Sequence, residues 1–237
     1  KVNGKESKFS IVDFDACLMG TIEVAYEISD TTSYMVASEE NEPGNGMPYA
    51  DYLGPLVKNP ALSPAEFSKR MVGTYVQSYA KGGSASNSFV KGSPVTKAAT
   101  DLGKIGNLVK KFDRLGQALL ANHQAYADLL VAEGGRFASI KRYSDSTLVD
   151  LVDFTHKLAQ MPEAPSDIRE ICIDIIKSYG YPVENDRLAK PVLITSDKPG
   201  VVVWGYNGWR MPPKSLWPAG TRVFQSRLAL TPLRQMQ

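Results

Sequence analysis

The sequence predicts an α/β fold built on a largely parallel sheet. Three observations point there. An apolar, β-branched segment, Phe9 to Ala16 (FSIVDFDA), runs directly into an amphipathic stretch, Leu18 to Ser29, and a second short apolar segment, Tyr34 to Ala37, follows. That order is strand, helix, strand, the unit of parallel sheets. A loop rich in proline and glycine, Ser38 to Tyr49 (SEENEPGNGMPY), then leaves the end of the second strand, which is where open α/β sheets place their ligands.

The elements follow in order. In Leu18–Ser29, Leu18, Ile22, Ala25 and Ile28 recur at helical spacing, giving a helix with one apolar stripe. Ala50 to Val57 is a short helix. Ser63, Pro64 and Glu66 match an N-cap, a first-turn proline and the reciprocal acid of a capping box, so a helix runs from there to about Tyr79. Lys81 to Ser93 is a Gly/Ser/Lys loop and Val95 to Asp101 a strand. Asp101 caps a long amphipathic segment, Leu102 to about Glu133, with Leu108, Phe112, Leu115 and Leu119 on its stripe. Leu148 to Gln160 and Ser166 to Tyr179 are two more helices. Lys190 to Thr195 and Gly200 to Gly205 read as a hairpin, and Arg222 to Leu230 as a last strand. No repeat or linker divides the chain, so residues 1–237 read as one domain or part of one.

With 237 residues, 43% of them apolar and 22% charged, the chain can bury roughly 70% of its extended surface without disulfides or structural metals. A net charge of +2 argues for neither a nucleic-acid nor an acidic-membrane partner. No apolar run approaches the ~18–20 residues of a membrane span. Two cysteines and two histidines make neither a disulfide framework nor a histidine-rich metal centre. Lys1 to Lys8 lacks the apolar stretch of a signal peptide and has no initiator methionine, so the chain reads as a processed fragment.

Cys17 is the candidate nucleophile. It falls where the first strand gives way to the helix, a position at which free N–H groups and the helix dipole would lower the thiol pKa. Its own N–H would serve as an oxyanion donor. Strand alternation would set Asp15 on the same side. A carboxylate there does not help to form a thiolate, and fits better as the counter-charge of an Arg or Lys in a substrate. The alternatives are a buried, inert Cys17 and an Asp15 that merely caps the helix.

The stretches DFDACLMGTIEVAYEI (Asp13 to Ile28) and ASEENEPGNGMPY (Ala37 to Tyr49) resemble the clostripain family of cysteine peptidases, relatives of gingipains, legumains and caspases. The segment Tyr143 to Leu158 adds a weaker likeness. The resemblance implies a caspase-like or gingipain-like α/β/α sandwich. It implies a Cys–His dyad with Cys17 as nucleophile, and cleavage after Arg or Lys held by Asp15. Ser38 to Asn45 would line the pocket, with Ser38, Glu39 and Asn45 as further substrate-binding candidates. The family's histidine precedes the cysteine in a His-Gly motif, and no histidine precedes Cys17 here. His123 and His156 lie in predicted helices and match no such motif. The resemblance therefore implies that this chain is the C-terminal, cysteine-bearing part of a single peptidase domain. A separate N-terminal light chain would supply the histidine, a second oxyanion donor and the missing strands. A secreted, periplasmic or cell-surface location is also implied.

Other clusters give less. Cys172, among Ile168, Ile171, Ile175 and Ile176, reads as core, and a Cys17–Cys172 disulfide would abolish the nucleophile. No cofactor is required, although Glu39, Glu40 and Glu42 would offer oxygens to calcium. Trp204, Tyr206, Trp209 and Trp217 read as packing or as a ligand platform. The competing functions are a non-catalytic surface or periplasmic binding protein, and a peptidase homologue that has lost activity.

Overall fold

The computed structural model describes residues 7–80, 82–85, 95–121, 148–162 and 164–179, and the backbone of four further strand segments. In chain order the elements are β1 (Phe9–Asp13), α1 (Ile22–Glu27), β2 (Thr32–Ala37), α2 (Tyr49–Lys58), α3 (Pro64–Tyr79), β3 (Val95–Asp101), a 3₁₀ turn (Leu102–Lys104), α4 (Ile105–Ala121), β4 (Val149–Asp150), α5 (Leu151–Ala159), α6 (Ser166–Ser178), β5 (Val183–Glu184), β6 (Arg187–Leu188), β7 (Val202–Asn207) and β8 (Ala229–Leu230).

The main sheet has the order β1-β2-β3-β7. The expected β1–α1–β2 unit is present, with β1 and β2 parallel and Ile11 opposite Tyr34. The expectation of a largely parallel sheet is corrected beyond that pair. β3 runs antiparallel to β2, with Val36 opposite Ala99, and β7 runs antiparallel to β3, with Ala98 opposite Trp204. The sheet is mixed. β7 spends its hydrogen bonds on β3. The strand at Lys190–Thr195 that was to make a hairpin with it lies outside the described residues.

Alternation along the strands sorts the core into two. Met35, Ala37 and Ala98 face a cluster with Ile22 and Ala25 of α1, Leu108 and Leu115 of α4, Leu151 and Leu158 of α5 and Ile168 and Ile175 of α6. Val36, Val95 and Ala99 face the opposite way, against Tyr52 of α2 and Met71, Val72, Tyr75 and Tyr79 of α3. Helices therefore pack on both faces. Each buried Leu or Ile stabilises its layer by about 1.5–3 kcal/mol. Cys172 is buried in the first core, and burial pushes its thiol up to about 12. Both cysteines are free, so no disulfide removes Cys17.

Local signals explain most element ends. The Ser63 hydroxyl accepts from the Glu66 N–H at 3.3 Å, while the Glu66 carboxylate accepts from the Ser63 N–H at 3.2 Å, which is the expected capping box with Pro64 in the first turn. Asp101 accepts from Gly103 N–H and caps the 3₁₀ turn rather than α4 itself. α4 is described to Ala121. The remainder of the expected helix, with His123, lies outside the described residues. So do Trp209, Trp217 and most of the last expected strand, of which only Ala229–Leu230 is described. α5 opens three residues later than expected, because Val149–Asp150 pairs with β8 and Asp150 then caps the helix through the Asp153 N–H. Among the described residues no helix is long and apolar enough to cross a membrane.

Candidate active site

β1 ends at Asp13, and the chain leaves the sheet through Phe14, whose N–H still donates to the Val36 carbonyl at 2.9 Å. Asp15, Ala16 and Cys17 then stand exposed beyond the C-terminal end of the strand, with the thiol open to solvent. Leu18 takes a left-handed conformation at φ 61°, which turns the chain away before the helix begins.

Two expectations about Cys17 are corrected here. α1 opens at Ile22 with Thr21 as its N-cap, the hydroxyl accepting from the Val24 N–H at 3.2 Å. Cys17 is thus in a turn that ends before the Thr21 cap of a six-residue helix rather than at the helix start, and Asp15 is no helix cap. The pleat also stops at Asp13, so strand alternation does not set the relation of Asp15 to Cys17.

The Asp13–Thr21 segment faces the Ser38–Pro48 loop. At Gly20 the two backbones touch. Its N–H donates to the Ser38 carbonyl at 2.8 Å, and a Cβ there would lie 2.9 Å from the Ser38 carbonyl carbon. At Gly46, with φ +66°, a Cβ would lie 3.1 Å from the Asp15 Oδ2, so glycine serves both the turn and the approach of the carboxylate. Tyr49, opening α2, donates its hydroxyl to Asp15 Oδ2 at 2.8 Å. That hydrogen bond is the first cause that pushes the phenol up to about 12, so Tyr49 stays a donor.

Beneath Asp15 lies a buried charged cluster that sequence reasoning missed. Lys97 of β3 is fully buried. Its Nζ donates to the Phe14 carbonyl and to Glu42 Oε1, each at 2.6 Å, lies 3.7 Å from Asp13 Oδ1, and sits 5.0 Å from the centre of the Tyr75 ring. Desolvating an ammonium costs several kcal/mol, and these contacts, the ring included, offset it. Tyr52 donates to Asp13 Oδ2 at 3.4 Å. Burial pushes Asp13 up to about 6 despite the opposing pull of Lys97. Glu42 is raised too, by burial first, with Lys97 again opposing. Asp13 and Glu42 thus share the Lys97 ammonium, while Asp15 stands exposed and accepts from Tyr49. Lys97 was missed because β3 is buried along both faces from Val95 to Thr100, so no alternation in its sequence marks the lysine as inward.

The remaining predicted residues shape the loop. The Ser38 hydroxyl is buried and donates to the Glu40 carbonyl at 2.9 Å. That leaves Thr96 as the donor in its 2.9 Å bond to Ser38, while the Thr96 oxygen accepts from the Glu39 and Glu40 N–H groups at 3.3 and 3.1 Å. The side chain of Glu39 is buried as well. Asn45 is exposed and donates to the Ala85 carbonyl at 2.7 Å. Among the described residues no group of three or more His, Cys, Asp or Glu side chains could hold a metal ion; in particular Glu42, weighed above for calcium, turns to Lys97. His156 sits on α5 with Nε2 3.3 Å from Gln160 Nε2.

The clostripain family model matches residues 1–190. The chain belongs to the clostripain family. Among solved structures, the clostripain-family chain is similar to a cysteine protease of B. fragilis, at 18% identity and a TM-score of 0.51 over 72% of this chain and 65% of that one. It therefore spans just under two thirds of that protein, and the likeness is one of fold. A clostripain from Bacteroides thetaiotaomicron in complex with a peptide inhibitor aligns at 22% identity and TM-score 0.46, covering 80% of this chain and 76% of that one. An inactive zymogen C11 protease from Parabacteroides distasonis aligns at 15% identity and TM-score 0.48, covering 86% and 54%. No curated protein matches the sequence.

Proposed function

We propose that this chain is the cysteine-bearing part of a clostripain-family endopeptidase that cleaves after Arg or Lys. The observation that carries the reading is an exposed Cys17 two residues beyond an exposed Asp15, at the end of a strand where the one buried ammonium is already met by Asp13 and Glu42. Residues 1–237 form the C-terminal part of one peptidase domain, a caspase-like α/β/α sandwich. The preceding, N-terminal part, carried on a separate light chain after maturation, adds the histidine and further strands. β1 has a strand neighbour on one side only among the described residues, which leaves an edge for it.

In this mechanism a basic substrate side chain pairs with Asp15, and a guanidinium pairs best. Ser38, Glu39 and Asn45 hold the loop that walls the pocket. The Cys17 sulfur attacks the carbonyl carbon, and the C–N bond breaks as the light-chain imidazolium gives its proton to the leaving amine. Water, deprotonated by the same imidazole, then cleaves the thioester, which frees the new carboxylate and restores the thiol. The Cys17 N–H and a glycine N–H after the histidine stabilise the oxyanion. No cofactor enters these steps. A secreted or cell-surface location follows from the family.

The test is an Arg-terminated chromogenic peptide with the full-length gene product. Cys17→Ala abolishes hydrolysis and labelling by an Arg-directed thiol reagent, and Asp15→Asn lowers kcat/KM on Arg peptides by ~100-fold while leaving peptides with a neutral residue at the scissile position within a few-fold. Hydrolysis that survives Cys17→Ala removes the thiol from the reaction and leaves the inactive-homologue or binding-protein reading.

A further inference from the structure

We infer that Lys97 is a positioning residue for the basic-residue pocket, its ammonium tying the segment that carries Asp15 and Cys17 to the loop that faces it. The inference rests on the peptidase reading above and deepens it. Lys97 bonds at 2.6 Å to the Phe14 carbonyl, immediately before Asp15, and at 2.6 Å to Glu42 in the facing loop. Those two bonds span the gap across which Asp15 meets Gly46 and Tyr49. The preceding residue of β3, Thr96, holds the start of the same loop through Ser38, Glu39 and Glu40. Consecutive strand residues point to opposite faces, so β3 grips the loop from both sides of the sheet.

A fold that needed only packing here would be served by an apolar side chain, since a buried ion pair is often no more stabilising than a hydrophobic replacement. What the ammonium adds is direction. It draws Asp13 and Glu42 inward, with side chains 17% and 5% exposed, and leaves Asp15 as the exposed carboxylate of the three. Since the ammonium is met by Asp13 and Glu42, Lys97 does not cancel a preference for a cation at Asp15; it fixes where that carboxylate stands.

The experiment compares Lys97→Met and Glu42→Ala in the full-length protein with wild type. Both variants raise KM for an Arg peptide at least tenfold, with kcat within threefold and alkylation of Cys17 by iodoacetamide within threefold of wild type. Lys97→Met/Glu42→Gln, which removes one buried charge from each partner, regains thermal stability lost in Lys97→Met without regaining KM; a side chain that served stability alone would recover both together. If Lys97→Met does not fold, Glu42→Ala decides, because it cuts the loop side of the tie while Lys97 keeps Asp13 and the Phe14 carbonyl. Unchanged KM in a folded variant, or a loss confined to kcat, overturns the inference. If wild type hydrolyses no Arg or Lys peptide, the peptidase reading fails separately, and amide hydrogen exchange across residues 38–48 judges the tie: exchange at least tenfold faster in Glu42→Ala upholds it, and unchanged protection overturns it.

Discussion

Asp13 shows how far one buried carboxylate can bias the behaviour of the site. Burial lifts its pKa from 3.8 to about 6, against the pull of Lys97 and the Tyr52 hydroxyl. The folded protein therefore holds this proton more tightly than the unfolded chain does. The stabilisation is fully present below about pH 4 and is lost as pH rises through about 6. Between pH 7 and pH 5 it is worth roughly 1 kcal/mol, from ~1.4 kcal/mol per pKa unit. Asp13→Asn lacks this dependence. In urea unfolding, wild type gains about that much on the variant when the pH drops from 7 to 5. A wild-type and variant pair that shift in parallel would mean that Asp13 titrates near its ordinary value. The same residue scale explains why the site was only half legible. Cys17 and Asp15 stood out through the likeness of Asp13–Ile28 to the clostripain family, since a cysteine or an aspartate at a strand end has ordinary structural uses as well. Lys97 did not, because a lysine in sequence looks like solvent-facing charge, and only the helices packed on both faces of β3 show that either face of that strand is covered.

Elements with a local code were readable, and elements defined by distant pairing were not. α3 is the clear case: Ser63, Pro64 and Glu66 carry the whole N-terminal signal within four positions, and the capping box forms as expected. Ser63→Ala removes the acceptor for the Glu66 N–H and the partner that holds Glu66 below the usual carboxylate range. It should lower stability by about 1 kcal/mol, read as a fall in Tm, without changing cleavage, because the cap stands at the far end of a 16-residue helix from Tyr79, whose hydroxyl donates to Gly46 at 2.7 Å. An altered KM in this variant would show that α3 transmits strain to the loop. α1 was misread at its start for a physical reason. Leu18 has helical spacing to Ile22, but its left-handed backbone and Thr21 as cap delay the helix, and periodicity does not register one residue with positive φ. The direction of β3 was equally hidden. Strand–helix–strand logic gives β1 and β2 as parallel, but β3 follows two helices and a long loop, and nothing within Val95–Asp101 encodes which way it runs.

At the scale of the whole molecule, the described sheet ends in β1 on one side and β7 on the other. Each of the two has one strand neighbour among the described residues, β7 with β3 and β1 with β2, and β1 is the one that leads to Cys17. Its first residue, Phe9, is 69% exposed. An outer strand of this kind offers a row of N–H and C=O groups along with apolar side chains, and such edges invite pairing with another chain. Under the two-chain reading, that pairing is the light chain's place, and it would also bring the histidine to the end of β1, where Cys17 stands. The expectation is concrete. Residues 1–237 expressed alone form oligomers or aggregates in size-exclusion chromatography and hydrolyse no Arg peptide. Co-expression with the segment that precedes them in the gene yields a soluble complex in which the amides of β1 gain protection from hydrogen exchange. A single polar substitution, Ile11→Lys, tests the same edge from the other direction, because Ile11 pairs with Tyr34 on β2 and packs partly against the α3-side core: it weakens β1 itself and so lowers the yield of the complex, with no effect on Cys172 in the opposite core. If the isolated chain is instead monodisperse and active, the histidine and the missing strands belong to this chain after all, and the two-chain reading falls while the roles of Cys17 and Asp15 stand.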